Sequence, residues 1–82
     1  MDDVEIKRRI KAILAGMFDL PPEEFPDKKP FQEMAKYDSM RALEFLAKLE
    51  TEFGIMIDPD MLPKMLTVES TVEVVRGILR GQ

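Results

Sequence analysis

Eighty-two residues, 45% apolar and 34% charged, make one domain with a small core, and the balance is that of a folded chain. A net charge of −4 disfavours nucleic acid and anionic membrane as partners, since both need a basic footprint. Without cysteine there is no disulfide framework or thiolate metal site, and without histidine the usual general base and commonest metal ligand are missing.

The start, Met1-Asp2-Asp3-Val4-Glu5, is acidic and carries no signal-like apolar stretch. No apolar run approaches the ~20 residues that span a bilayer. A cytoplasmic protein without membrane insertion is expected.

The first helix is predicted from about Asp3 to Phe18. Ile6, Ile10, Ile13, Leu14 and Met17 share one face, and Glu5, Arg8, Arg9 and Lys11 lie largely elsewhere. Residues 19–38 break that period with Pro21, Pro22, Pro26 and Pro30. They read as a long loop with one helical turn near Phe31–Met34, packed down by Leu20, Phe25, Phe31 and Met34.

The second helix runs from about Ser39 to Phe53. Asp38 is its N-cap, Ser39 its first residue and Gly54 its stop. Ile55-Met56-Ile57 is a short apolar link. Asp58-Pro59-Asp60 opens a short third helix over about 59–66, which Pro63 makes irregular. Thr67 caps the last helix, from about Val68 to Leu79, with Val68, Val72, Val75 and Leu79 inward. Gly81-Gln82 should fray. No stretch alternates with period two for long enough to predict a strand. The fold class is all-α: a four-helix bundle in one domain, residues 1–82, with three main helices, one short third helix and a long loop between the first two.

On the second helix, Ala42, Phe45, Leu46, Leu49 and Phe53 form the core arc, while Arg41, Lys48 and Glu52 lie roughly opposite, toward solvent. Between them runs a mixed strip of Met40, Leu43, Glu44, Ala47, Glu50 and Thr51. Apolar groups edged by carboxylates suit transient docking of a basic surface. Leu43 reads more readily as the border of a wide core face, and Met40 and Ala47 fit either reading. Glu44 and Glu50 taken singly are ordinary solubility charges. Charge is uneven: residues 39–60 hold Glu44, Glu50, Glu52, Asp58 and Asp60 against Arg41 and Lys48. The methionines Met34, Met40, Met56, Met61 and Met65 fall around the loop and the middle of the chain, where gap-filling is the simplest role.

Ser39 is the most informative residue. A serine at a helix N-terminus faces unsatisfied N–H groups and a partial positive charge, which tolerate an attached phosphate. A short acidic helical chain that offers this serine and no paired catalytic groups reads as a carrier, with no catalytic residue. The competing reading is an unmodified helical interaction domain in which Ser39 only starts a helix. A DNA-binding helix-turn-helix lacks its basic recognition helix here.

The helix order, the long first loop and Asp38-Ser39-Met40 resemble the acyl carrier protein family, which has Asp-Ser-Leu at this point. Phe31 and Glu33 match its Phe-x-Glu. Leu43-Glu44, Leu49-Glu50 and Glu52-Phe53 follow its second helix, and Ile57, the acidic prolyl turn and Thr67-Val68 match later landmarks. The resemblance covers nearly the whole chain. It implies that Ser39 takes a 4′-phosphopantetheine arm from coenzyme A through a phosphopantetheinyl transferase, with Asp38 helping that enzyme hold its metal. Acyl groups would ride the arm as thioesters to acyl-processing enzymes with basic docking patches. Met40, Arg41, Glu44, Ala47 and Glu50 would form the docking strip of a monomer in fatty acid, lipid or polyketide-type biosynthesis. Asp-Ser-Met also occurs in D-alanyl carriers, so an aminoacyl cargo is the near alternative. Lys36 replaces the family's glycine, Arg41 stands where acidic residues are common, and Pro63 is unusual in the helix that lines the family's acyl pocket. These departures suggest a specialised carrier.

Overall fold

A computed structural model describes residues 1–81. Helix α1 spans Asp3–Phe18, α2 spans Ser39–Phe53 and α3 spans Val68–Arg80. Three 3₁₀ segments lie between them, at Pro22–Glu24, Phe31–Glu33 and Pro59–Lys64. Among the described residues there is no strand. The two long helices before residue 54 begin and end where the sequence predicts. The turn near Phe31 is present, the turn at Pro22–Glu24 was not anticipated, and α3 runs one residue further than expected. The third helix is 3₁₀ throughout, because Pro63 has no N–H to give an α-helical bond. Of the predicted fray, Gln82 lies outside the described residues, while the Gly81 N–H still bonds to the Gly77 and Ile78 carbonyls.

Each helix is fixed at its ends by local chemistry. The Glu5 N–H donates to Asp2 Oδ1 at 2.9 Å, capping α1. Its other end closes on Asp19 in the left-handed region, φ 55°, a conformation an aspartate tolerates better than most residues. Gly54, φ 63°, closes α2 in the same way. Thr67 and Ser70 form a reciprocal capping box at the start of α3.

The core sits where α1 meets α2 and α3. Ile6, Ile10 and Leu14 face Phe45, Leu49, Val68 and Val75 within one fully buried cluster. Ile13, Met17 and Leu79 are only half-buried, so the inward faces are narrower than predicted. Phe25 and Phe31 pin the long loop as expected, Met34 is half-buried, and Leu20 stays 44% exposed.

Asp27 fastens the loop. Its carboxylate accepts from Lys7 Nζ at 2.7 Å and lies 2.9 Å from Lys11 Nζ, and its carbonyl accepts the Glu69 N–H at 2.9 Å. One loop residue thus ties α1 to the first turn of α3. The Lys7 and Lys11 ammonium groups hold the Asp27 carboxyl below its usual range, and Asp27 in turn raises Lys7.

Candidate functional site

The loop delivers Ser39 to the first position of α2 as an exposed residue. Asp38, extended at φ −141°, accepts the Arg41 N–H on Oδ1 at 2.8 Å, and its carbonyl accepts the Ala42 N–H. One of the helix's orphan donors is thereby satisfied by the residue before the serine, whose carbonyl also accepts the first intrahelical bond. The remaining N–H groups and the helix dipole give Ser39 Oγ a setting that favours an anionic substituent.

Tyr37 orients this approach. Its ring stacks with Phe18 at 6.3 Å and tilts against Phe31 at 5.4 Å, and Phe31 meets Phe45 edge-on at 5.5 Å. The segment before Ser39 is therefore seated on the core through an aromatic chain. Burial raises the Tyr37 hydroxyl above its usual pKa, so it stays neutral at ordinary pH.

A groove of about 510 Å³ runs past the serine. Tyr37, Ser39 and Ala42 form one side, and Leu62, Pro63 and Leu66 form the other. The Phe31 N–H donates to the Leu66 carbonyl at 2.8 Å and locks the two sides together. The unusual Pro63 is thus a wall residue of the cavity beside Ser39.

The strip predicted on α2 divides in two. Met40 is 79% exposed, Leu43 51%, and Ala47 is also exposed, so three apolar residues at helical spacing face solvent below Ser39. Leu43 is therefore not a core border: α2 packs on α1, on the Pro59–Lys64 segment and, through Phe45, on Phe31, and half of Leu43 stays outside that cover. Met56, just past the helix, is 88% exposed, so gap-filling does not describe it or Met40.

The charged members of the strip have structural partners. Arg41 does not project straight into solvent. Its guanidinium lies 5.8 Å over the Phe18 ring, and its Nη1 donates to Glu44 Oε1 at 3.1 Å. Glu50 is half-buried and accepts the Ile57 N–H at 2.8 Å. Leu62 and Leu66 as wall residues, and Phe18 as the platform for Arg41, were not read from the sequence. The four-residue spacing of Leu62 and Leu66 around Pro63 was the available signal for the first. Nothing local marks Phe18.

A serine exposed at a capped helix start, flanked by an apolar groove, is the geometry of a prosthetic-group attachment domain. The family model described as a phosphopantetheine attachment site matches residues 8–75. An acyl carrier protein of Thermosynechococcus vestitus is 31% identical over 77 residues, covering 94% of this chain and 95% of that one. Polyketide-8 synthase acyl carrier protein 1 of Streptomyces avermitilis is 33% identical over 73 residues, 89% of this chain and 87% of that one. The solved acyl carrier protein from Enterococcus faecalis matches with a TM-score of 0.77 at 26% identity, covering 95% of this chain and 99% of that one. The chain belongs to the acyl carrier protein family. It is a carrier and not a catalyst, and it carries acyl groups on phosphopantetheine.

Proposed function

We propose that Ser39 is the attachment residue and that residues 1–82 act as one carrier domain. The observation that carries the assignment is the exposed Ser39 at the first position of α2, beside an apolar groove able to shelter a slender chain. A radius of gyration of 11.6 Å supports one body, since a single packed domain of this length gives about 11.7 Å.

In the loading step Ser39 Oγ loses its proton and forms a phosphodiester with the phosphorus of coenzyme A that bears the pantetheine, and adenosine bisphosphate leaves. Asp38 Oδ1 is occupied by the Arg41 N–H, which leaves Oδ2 to face the transferase's divalent ion. The N-terminal dipole of α2 then favours the phosphodiester charge by about 0.3–1 kcal/mol. The bound group supplies a terminal thiol, which the chain's own residues cannot, and so makes thioester cargo possible. Leu62, Pro63 and Leu66 give that cargo an apolar wall away from water.

The exposed Met40, Leu43 and Ala47, with Glu44 beside them, are the surface offered to acyl-processing enzymes with basic docking patches. Arg41 and Glu50 sit at its edges. The cargo is acyl, in fatty acid, lipid or polyketide-type biosynthesis; the likeness to acyl and polyketide-synthase carriers favours this over an aminoacyl cargo. The carrier works as a cytoplasmic monomer. Among the described residues no helix is long and apolar enough to cross a membrane.

Intact mass tests the assignment. Wild type and Ser39→Ala are incubated with coenzyme A and a broad-specificity phosphopantetheinyl transferase. Wild type should gain one phosphopantetheine and the variant none. A gain on Ser39→Ala, or no gain on folded wild type with several transferases, removes Ser39 as the attachment residue.

A further inference from the structure

A second cavity, of about 200 Å³, lies across a pair of packed aromatic rings from the groove at Ser39. Phe18, Leu20 and Met34 form its apolar lining, and Lys29, Lys36 and Glu24 border it. Phe18, which lines this cavity, stacks with Tyr37, which lines the groove, so one ring pair stands between the two. Lys36 precedes Ser39 by three residues, which places it within about 11 Å along the chain. An extended phosphopantetheine arm is longer than that.

The charge at this cavity is unlike that of the chain. Two ammonium groups face one carboxylate, in a protein of net charge −4. The basic residues of α1 are all engaged: Lys7 and Lys11 with Asp27, Arg8 with Glu5, Arg9 with Glu5 and Glu52. Among the described residues neither Lys29 nor Lys36 is in an ion pair. Two uncommitted cations at the mouth of an apolar cleft present a site for a chain that is greasy along its length and anionic at its end.

We propose that this cavity receives the far end of a dicarboxylic acyl cargo, with methylenes against Phe18, Leu20 and Met34 and the terminal carboxylate between Lys29 and Lys36. The proposal rests on Ser39 carrying the arm. The size is suitable: a dry cavity of about 150 Å³ holds benzene, so this one takes roughly six to eight heavy atoms. A neutral chain does not draw on the lysines and is better served by the groove walled by Leu62 and Leu66. Exposed ion pairs of this kind support a preference of about two- to fivefold for each lysine.

The test loads the protein with adipoyl- or hexanoyl-phosphopantetheine from the matching coenzyme A thioesters and compares amide shifts by NMR. The adipoyl arm should move the amides of Lys29, Met34, Ala35 and Lys36, and the hexanoyl arm those of Leu62 and Leu66. Lys29→Gln with Lys36→Gln, both at exposed positions, should leave the fold intact and erase the difference between the arms. Equal shifts at Lys36 from both arms would mean that it reads the phosphodiester common to them, and would overturn the proposal. So would an adipoyl arm confined to the Leu62–Leu66 groove. If mass shows no loading, the Ser39 assignment has failed, and the cavity is then judged on the unmodified protein with free monomethyl adipate and methyl hexanoate. Shifts at residues 34–36 from the half-acid alone support it, and equal shifts or none overturn it.

Discussion

The Glu50 carboxylate accepts the Ile57 N–H at 2.8 Å and so spans the turn that leaves α2. A residue of the proposed docking strip is thereby also a clasp, holding Ile55 and Ile57 in the core on either side of exposed Met56. Glu50→Ala should lower stability by about 1.5–3 kcal/mol, the worth of a hydrogen bond to a charged group whose partner is left unmet. Glu50→Gln should recover most of it. Thermal unfolding of the three proteins checks this, and an unchanged midpoint for Glu50→Ala would deny the clasp.

Asp27 predicts the acid limb of stability. Its carboxyl is held below the ordinary range by Lys7 and Lys11 when folded, and takes the ordinary value when unfolded. The stabilisation is therefore complete above the unfolded carboxylate pKa, near 4, and drains as pH falls through the folded value. Glu5, lowered to about 2 by its hydrogen bonds to Arg8 and Arg9, works in the same direction. Asp27→Asn should lower the melting temperature at pH 7 by about 4–8 °C, as expected for roughly 1 kcal/mol from two half-exposed pairs. The gap between variant and wild type should narrow as pH drops below about 4. Melting curves from pH 2 to pH 7 decide it, and a constant gap would refute the linkage.

Docking should divide between contact and steering. Met40→Asp places a charge at the most exposed large apolar side chain on α2. It should weaken binding to a partner enzyme about tenfold while changing stability by less than about 0.5 kcal/mol. Glu44→Lys removes a steering carboxylate and leaves Arg41 beside a like charge. It should weaken binding about fivefold at low salt, with the loss shrinking as ionic strength rises. Affinities by titration at two salt concentrations separate the two effects. Equal binding by Glu44→Lys and wild type at low salt would exclude the strip as an electrostatic contact.

Thr67 caps α3 and accepts the Ser70 N–H at 3.0 Å, far from Ser39 in sequence. Thr67→Ala should cost about 1 kcal/mol, and Thr67→Ser should cost little. Neither should alter the mass gained on loading with phosphopantetheine. Denaturant unfolding beside intact mass reads both quantities, and a loading defect in folded Thr67→Ala would show that α3 contributes to the site.

Signals carried within one helical turn were legible in the sequence. Asp38, Gly54 and Thr67 act through backbone groups three or four residues away, so their positions fix the ends of α2, and with them Ser39 as its first residue, and the start of α3. The periodic Ile6, Ile10 and Leu14 likewise declare the buried face of α1. Arg41 departs from the helical-wheel expectation because the ring it lies over, Phe18, belongs to another helix. Leu43 departs from it because a helical wheel gives the apolar side of a helix but not how much of it the neighbours cover.

The sequence by itself determined an all-helical chain, the capped start at Ser39 and the proline-broken third segment, since each follows from hydrogen bonding and sterics between near neighbours. Only the tertiary structure decided which carboxylates and cations are spent on the fold and which remain for partners. Glu50 is committed to Ile57 and Asp27 to two lysines, while Met40, Lys29 and Lys36 stand uncommitted. That division rests on contacts between residues from 7 to 20 positions apart and more, which packing of the three helices creates and no local pattern encodes.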